Sequence, residues 1–337
     1  EDVLVTVTRQ GYVKRTPARA YRAQGRGGRG VSGMATRDED AVQQIFAART
    51  LDHILFFTNR GRVYSQRVYQ LPDSGRDGRG APLVNFVSLM PQERVTAAVV
   101  VPDFQQARYL TMVTVNGKIK RTSLAEFAAV RPSGIIAFPL DGEDELGWVL
   151  LTGGDRELLV VSEGGQALRF SETEVRLMSR RAAGVRAIRL PPGDRLASMD
   201  IVEPDGHLLL VTRLGYGKRV PLTQYLKHHR HSGGVRTIAH AIEQVGPIAA
   251  ARVVQEGDEF ALVSVNGMAL RARVADVPVQ GRSAKGVRLM QVAEGDAVAS
   301  LARLVTDGGE KGSNSKKGEK AQPPDVAALA ALPGGEG

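Results

Sequence analysis

The sequence contains no cysteine and one tryptophan, and aromatic residues make up 5% of its 337 positions. Without cysteine, neither a disulfide framework nor a thiolate metal site is possible. No apolar stretch approaches the roughly 20 residues that a membrane-spanning helix requires. The opening residues, EDVLVTVTRQ, do not have the layout of a signal peptide. We therefore expect a soluble, cytoplasmic protein without membrane contacts.

One short motif occurs six times along the chain. In each copy an apolar run ends in Thr or Ser, followed by two variable residues and a glycine. A second glycine lies 19 residues after the first in five copies and 17 residues after it in the third. Glycine suits the residue of positive φ that closes a short hairpin loop. The copies are TRQG (8–11), TNRG (58–61), TVNG (114–117), SEGG (162–165), TRLG (212–215) and SVNG (264–267), and the second glycines are Gly30, Gly80, Gly134, Gly184, Gly234 and Gly286.

The fifth copy shows what one unit contains. Four runs of strand-forming residues occupy 194–202, 207–212, 216–222 and 234–240, and turn residues separate them. Six such units with few helical periods predict an all-β protein, a six-bladed β-pinwheel with about four strands per blade.

The two ends of the array suggest how the ring closes. A last apolar run at 295–305 matches the opening run at 193–202, but no unit follows it. We expect this last strand to complete the first blade, because closure removes exposed strand edges. The sequence thus predicts a β-pinwheel domain over 1–306. Residues 307–337, rich in Gly, Lys and Pro, are predicted to form a disordered tail.

Positive charge is concentrated in one part of every unit. The six windows between paired glycines hold 26 Lys/Arg and 6 Asp/Glu in 118 residues, whereas the other 219 residues hold 19 and 30. A fold that stacks the units joins these windows into a basic belt, which predicts a polyanionic partner such as nucleic acid. A propeller scaffold that docks acidic proteins is the alternative from a different functional class.

If the polyanion is nucleic acid, the spread cations of the belt can neutralise many of its phosphates. Each neutralised phosphate releases counterions and gives affinity with little sequence preference. The candidate DNA-binding cations outside the first unit's glycine-rich stretch are Lys14, Arg15, Arg62, Arg67, Arg79, Lys118, Lys120, Arg121, Arg169, Arg180, Arg181, Lys218, Arg219, Arg230, Arg271, Arg273, Arg282 and Lys285.

The glycine-rich stretch of the first unit reads QGRGGRG and consists of Gln24, Gly25, Arg26, Gly27, Gly28, Arg29 and Gly30. It resembles the gyrase A box, Q-R-R-G-G-[RK]-G, of the C-terminal domain of the DNA gyrase A subunit. Six of the seven positions match, and Gly25 stands where the family usually has arginine. The resemblance covers the chain from Val3 to about Val305 and implies that these seven residues bind DNA.

This resemblance implies a domain that wraps duplex DNA around a basic rim, so that the holoenzyme can introduce negative supercoils with ATP. The implied partners are double-stranded DNA of any sequence, the gyrase B subunit, and the N-terminal cleavage domain of the same polypeptide. The implied location is the bacterial cytoplasm, in association with the nucleoid. The related C-terminal domain of the topoisomerase IV A-type subunit, which serves decatenation, is the nearest alternative.

No catalytic residue is predicted in this chain, because the family's breakage tyrosine and ATPase belong to other domains. We expect no cofactor in this domain either, since ATP and Mg²⁺ belong elsewhere in the holoenzyme. We expect His228, His229 and His231 to lie in an exposed basic loop with no nearby carboxylate, so we interpret them as surface residues rather than metal ligands.

Overall fold

The computed structural model describes residues 1–304 apart from 9, 18–41, 76–77, 107, 239–241 and 267, and it describes the side chains of these residues apart from 42–47 and 269. The glycine-rich stretch 24–30 and the tail 307–337 therefore lie outside the described residues. The described strands are β1 (Asp2–Thr8), β2 (Tyr12–Pro17), β3 (Val42–Arg49), β4 (His53–Thr58), β5 (Arg62–Arg67), β6 (Ala81–Pro82), β7 (Val95–Val101), β8 (Tyr109–Thr114), β9 (Lys118–Ser123), β10 (Ile135–Ile136), β11 (Leu146–Thr152), β12 (Glu157–Ser162), β13 (Gln166–Ser171), β14 (Val185–Arg186), β15 (Leu196–Ile201), β16 (His207–Thr212), β17 (Tyr216–Pro221), β18 (Val235–Arg236), β19 (Ile248–Val254), β20 (Glu259–Ser264), β21 (Ala269–Arg273), β22 (Val287–Arg288) and β23 (Val298–Leu304).

Helical structure is limited to short segments in the described part of the chain. One α-helix spans Ile242–Val245, and no described helix has the length and apolar character needed to cross a membrane. The 3-10 turns are Val68–Gln70, Leu83–Asn85, Leu124–Phe127, Glu172–Glu174, Leu222–Gln224 and Val274–Asp276.

The T-x-x-G motif forms the hairpin turn that the sequence predicts. In the fifth copy the Gly215 N–H donates to the carbonyl oxygen of Thr212 at 3.0 Å, and Gly215 has φ +83°. The Thr212 hydroxyl accepts a further hydrogen bond from the Tyr216 N–H at 3.2 Å. Thr or Ser is therefore useful at the first motif position because its oxygen binds a backbone N–H beyond the turn.

The strands assemble into six antiparallel sheets, and this confirms the all-β six-bladed propeller. Five sheets have four strands, and the sixth has three within the described residues. The blades, however, do not coincide with the sequence units. In the fourth sheet, of order β15-β12-β13-β18, the central hairpin belongs to the fourth unit and both flanking strands come from the fifth. Each of the first five hairpins is thus completed by the next unit.

The prediction that the last strand closes the first blade was wrong. Strand β23 pairs with β20 in the sixth sheet, and the first hairpin instead pairs with β3 of the second unit. The reason is that every opening run pairs with the hairpin before it, so the run at 298–304 belongs to the sixth hairpin. The first and sixth blades still lie side by side, because Cα atoms of β3 and β23 approach within 8 Å.

The hydrophobic core lies between neighbouring blades. Between the second and third sheets it includes Phe57, Met112 and Phe138, each 0% exposed. Trp148 is 1% exposed between the third and fourth sheets. Burial of each such side chain contributes about 1.5–3 kcal/mol. The seams between blades therefore supply most of the apolar burial that holds the ring together.

A buried ion pair joins the inner strands of the fourth and fifth blades. The Arg252 Nε atom lies 3.5 Å from Asp200 Oδ2, and the two side chains are 2% and 5% exposed. Asp200 Oδ2 also accepts a hydrogen bond from the Val253 N–H at 2.8 Å. Burial raises the pKa of Asp200 above its usual value, although the Arg252 charge opposes this. The carboxylate is thus held by contacts from the neighbouring blade.

Candidate nucleic-acid interface

In five of the six sheets, within the residues that the structure describes, the outer perimeter of the propeller is built from the second hairpin strand and a two-residue strand supplied by the next unit. On three successive outer strands, β14, β18 and β22, the second residue is an exposed arginine. These residues are Arg186, Arg236 and Arg288. Each arginine lies at the outermost edge of its sheet, so the three form a row of cations on the outer perimeter. We call this outer perimeter, with the loops that lie along it, the rim.

These three arginines are not among the predicted cations, because they follow the second glycine of their units and so lie outside the six basic windows. A signal was nevertheless present, since Gly-Val-Arg occurs at 184–186, 234–236 and 286–288. The glycine lets the chain pass close to the hairpin strand, and the arginine two residues later is placed at the edge of the sheet. An ideal Cβ on Gly234 would lie 2.5 Å from the Ala167 carbonyl oxygen.

The predicted cations fall into three groups by exposure. The exposed group is Arg181, Arg271, Arg273 and Lys285. The half-buried group is Arg15, Arg62, Arg67, Arg79, Lys118, Arg121, Arg169, Arg180, Arg230 and Arg282. The buried group is Lys14, Lys120, Lys218 and Arg219.

Three of the half-buried arginines connect consecutive units along the rim. Arg180 Nη1 donates to the Ile136 carbonyl oxygen at 2.9 Å, Arg282 Nη1 donates to that of Arg236 at 3.1 Å, and Arg230 Nη1 donates to that of Arg186. In each case a loop arginine of one unit binds the outer strand of the preceding unit. Arg26 of the glycine-rich stretch stands at the corresponding position in the sequence, four residues before the second glycine, but it lies outside the described residues.

Tyrosine rings on the hairpin strands orient several guanidinium groups. The guanidinium carbon of Arg79 lies 4.0 Å from the Tyr12 ring centroid, and that of Arg288 lies 4.9 Å from the Tyr216 ring centroid. Arg288 Nη2 also donates to the Tyr216 hydroxyl at 2.7 Å. Such stacking orients a guanidinium without neutralising it. The remaining stacked candidates are Arg62 on Tyr64 and Arg121 on Tyr109.

Other candidates are paired with carboxylates. Arg169 Nη2 lies 2.6 Å from Glu157 Oε2, and Lys227 Nζ lies 3.4 Å from Glu157 Oε1. Burial of Glu157 acts to raise its pKa, but the hydrogen bonds and charges of these two cations outweigh it and hold the pKa below the usual value. The other paired candidates are Arg15 with Asp73, Lys118 with Asp141, Arg180 with Glu126, Arg219 with Glu256, Arg271 with Glu259, and Arg273 with Asp276.

The structure corrects the placement of Lys14, Lys120 and Lys218. Each is 0% exposed, and each ammonium donates to backbone carbonyl oxygens of a loop from the next unit. A buried ammonium in this position does not reach a phosphate outside the protein. Arg219 is 6% exposed, donates from Nε to the Val277 carbonyl oxygen at 2.6 Å, and is likewise turned inward. The physical reason is that the loop of the next unit covers this part of the hairpin strand.

The histidine-rich loop lies on the rim, with His228, His229 and His231 exposed. The expectation that no carboxylate lies near this loop was wrong, because Glu174 Oε2 of the preceding unit is 3.5 Å from His229 Nδ1. Among the described residues, no group of three or more His, Cys, Asp or Glu side chains is arranged to hold a metal ion.

The architecture is therefore that of a six-bladed β-propeller whose outer edge carries recurrent arginines. The chain belongs to the DNA gyrase C-terminal domain family of β-propellers: the family model matches residues 2–49, 52–102, 108–152, 156–203, 206–249 and 258–304. The six matched segments each contain one hairpin of the T-x-x-G type.

Curated relatives and solved structures agree with this membership. The DNA gyrase A subunit of Escherichia coli K12 is 39% identical over 97% of this chain, which spans 37% of the length of that protein. The DNA gyrase A subunit of Mycolicibacterium smegmatis is 39% identical over 90% of the chain and 36% of that protein. Among structures, the C-terminal domain of DNA topoisomerase IV has a TM-score of 0.78 at 31% identity, covering 90% of this chain and 93% of that one. The gyrase A C-terminal domain has a TM-score of 0.73 at 27% identity, covering 90% and 100%.

Proposed function

We propose that this domain binds duplex DNA along the rim and wraps it, so that a gyrase holoenzyme can introduce negative supercoils with ATP. The observation that carries the proposal is the row of exposed arginines on three consecutive outer strands, Arg186, Arg236 and Arg288. Cations at the edges of successive blades can contact phosphates at intervals along a curved duplex, and their repetition offsets the cost of bending.

In this proposal the chain performs no bond-breaking step. Its protein partners are the gyrase B subunit and the N-terminal cleavage domain of the same polypeptide, and ATP and Mg²⁺ act there. The glycine-rich stretch 24–30 supplies two further arginines, Arg26 and Arg29. Its backbone can approach phosphate closely because four of its seven positions are glycine.

The test is ligation of a nicked plasmid in the presence of the purified chain, followed by separation of topoisomers. Wrapping shifts the linking number of the closed circles in proportion to the bound chain. DNA binding of unrelated sequences with no such shift contradicts wrapping and favours simple tethering. Binding to acidic proteins but not to DNA favours the docking scaffold instead.

The topoisomerase IV alternative is supported by the TM-score of 0.78 to that enzyme's C-terminal domain. The six blades and the six matching box positions favour gyrase. A holoenzyme reconstituted with this domain distinguishes the two, because a gyrase domain supports ATP-dependent negative supercoiling of relaxed plasmid. A topoisomerase IV domain instead supports decatenation without net negative supercoiling.

A further inference from the structure

Lysine and an uncharged residue alternate at one position of the outer hairpin strand around the ring. The position is lysine in the first, third and fifth blades, and it is Tyr64, Leu168 and Leu270 in the second, fourth and sixth. This position is defined by its distance from the turn: it is always the third residue after the glycine of the T-x-x-G motif. The lysines are Lys14, Lys120 and Lys218, and all three are 0% exposed.

Lys120 and Lys218 each end in a cluster of carbonyl oxygens. Lys218 Nζ donates to the carbonyl oxygens of Gly281, Arg282 and Ala284 at 2.8, 2.6 and 2.7 Å. The same three loop positions, five, four and two residues before the second glycine, recur with Lys120, which binds Ser179 at 3.3 Å, Arg180, and Ala182 at 3.1 Å. Lys14 binds the first of these positions, Gly75, at 3.1 Å.

In this cluster every N–H donor of the ammonium group has a carbonyl acceptor. An ammonium group has three N–H donors and three converging carbonyl oxygens use all of them, whereas an apolar side chain leaves three buried acceptors without a donor. The backbone carbonyls therefore point inward, which turns the loop's side chains outward. Burial lowers the pKa of Lys120 and of Lys218 to about 8, so both remain mainly charged at neutral pH.

The loops that Lys120 and Lys218 hold carry rim cations, as the fifth-unit loop with Arg230 also does. The fourth-unit loop contains Arg180 and Arg181, and the sixth-unit loop contains Arg282 and Lys285. Arg181 and Lys285 are exposed, and Arg180 and Arg282 reach the outer strands of the preceding units. The ammonium and the rim cations thus lie on opposite sides of one loop backbone.

We propose that Lys14, Lys120 and Lys218 are positioning residues, which hold the DNA-contacting loops of the second, fourth and sixth units from beneath without touching DNA. This inference rests on the proposed wrapping function. It distinguishes loops held by an ammonium from loops whose underlying hairpin strand has an uncharged side chain at the same position.

The first experiment compares the double variant Lys120→Met/Lys218→Met with the control Leu168→Met/Leu270→Met, which changes the same strand position in the alternate blades. Methionine fills the lysine stem but cannot donate. We expect the lysine variant to lower the slope of log affinity against log salt by about 2–3, because up to four phosphate contacts are misplaced. It should also reduce the linking-number shift per bound chain, while the control retains both.

A second variant separates positioning from folding. Because the chain has no cysteine, Lys218→Cys can be alkylated at one site with bromoethylamine under denaturing conditions and refolded, which restores an ammonium at nearly the same reach. Alkylation with bromopropane gives a neutral side chain of the same length. We expect the aminoethylated protein to recover the wild-type linking-number shift and the propylated protein not to recover it, at matched circular dichroism.

The outcomes are distinguishable from those of the wrapping test. If the wild-type chain shifts no linking number, the wrapping function fails first and the positioning role falls with it. If the wild type wraps and the methionine or propyl variants wrap equally well, the positioning role alone is overturned. The same holds if the aminoethyl protein folds but wraps no better than the propyl protein.

Discussion

The side chain of Arg282 donates a hydrogen bond from Nη1 to the carbonyl oxygen of Arg236 at 3.1 Å, and Arg236 itself is an exposed cation on the outer strand of the fourth sheet. Arg282 therefore holds in place the backbone that presents Arg236. Arg230 and Arg186 repeat the relationship one blade earlier. Two of the three edge arginines are therefore presented by backbone that a loop arginine of the next unit holds in place.

The arginines at the edges of the sheets should contribute to DNA affinity and little to folding. Replacement of Arg186, Arg236 and Arg288 by alanine should lower the salt slope of DNA binding by about 2–3, equally for unrelated sequences. The free energy of unfolding should change by about 0.5 kcal/mol or less per site. Filter binding across a salt series and urea unfolding measure the two effects.

The control for this prediction removes the same charge from the ends of the sheets, with Arg60, Arg156 and Arg195 replaced by alanine. All three are exposed. If this variant loses as much salt dependence as the rim variant, net charge rather than the rim governs binding.

Gly215 should be irreplaceable for a steric reason. Its φ is +83°, and a Cβ placed there would lie 2.0 Å from the carbonyl oxygen of Met290. Gly215→Ala should therefore destabilise the protein by about 3 kcal/mol or more, because strand β22 and the residues after it must move away. Gly295→Ala is the matched control, since Gly295 has φ +78° but no atom within 4 Å of the added Cβ. It should cost about 1–2 kcal/mol, and equal losses in thermal unfolding would mean that the contact does not matter.

Removal of one partner of the buried pair Asp200–Arg252 should lower the free energy of unfolding much more than replacement of both partners by apolar residues. Asp200→Ala leaves a guanidinium at 2% exposure without its carboxylate, so we expect a loss of about 3–5 kcal/mol in urea unfolding. The double variant Asp200→Leu/Arg252→Met should recover most of that loss, because both buried charges are removed together. Asp155→Ala, at an exposed carboxylate, should be nearly neutral. A double variant as unstable as Asp200→Ala would show that the pair contributes more than desolvation costs.

Acid should loosen the contact between the second and third blades. Burial acts to raise the pKa of Glu145, but hydrogen bonds from Arg94 and Asn59, together with the charge of Arg94, outweigh it and hold the pKa below its usual value of 4.5. The folded protein therefore releases this proton more readily than the unfolded chain. The resulting stabilisation is present above about pH 4.5 and is lost as the pH falls through the folded pKa.

Urea unfolding at about pH 6 and about pH 3.5, on either side of the unfolded pKa, tests this. Glu145→Gln should lose less stability than the wild type on acidification, because the titrating group is gone. Exposed Glu143→Gln should follow the wild type. A Glu145→Gln profile parallel to that of the wild type would assign the acid sensitivity to other carboxylates.

The hairpins and the number of blades follow from the sequence, because T-x-x-G turns are local and each motif contains its own evidence. The partner of each hairpin does not follow. All units carry the same apolar pattern, so a strand such as β15 fits the fourth hairpin as well as the fifth, and only the three-dimensional arrangement decides.

The burial of Lys120 could not be predicted from the charge pattern alone. A strand of a two-sided sheet normally alternates between buried and exposed residues, but Ile119 and Lys120 are both buried. The second burial arises because a loop 60 positions away in sequence covers the outer face. Non-local contacts of this kind leave no periodic signal in the strand itself. The exposed Arg186, in contrast, was readable from its repeated Gly-Val-Arg triplet.

The exchange of strands has a consequence for synthesis of the protein. A hairpin that leaves the ribosome has two open edges, and both of its flanking strands are encoded in the unit that is translated next. Open edges invite pairing with other nascent chains. The speed of translation through each unit therefore sets how long the preceding blade remains exposed to such encounters.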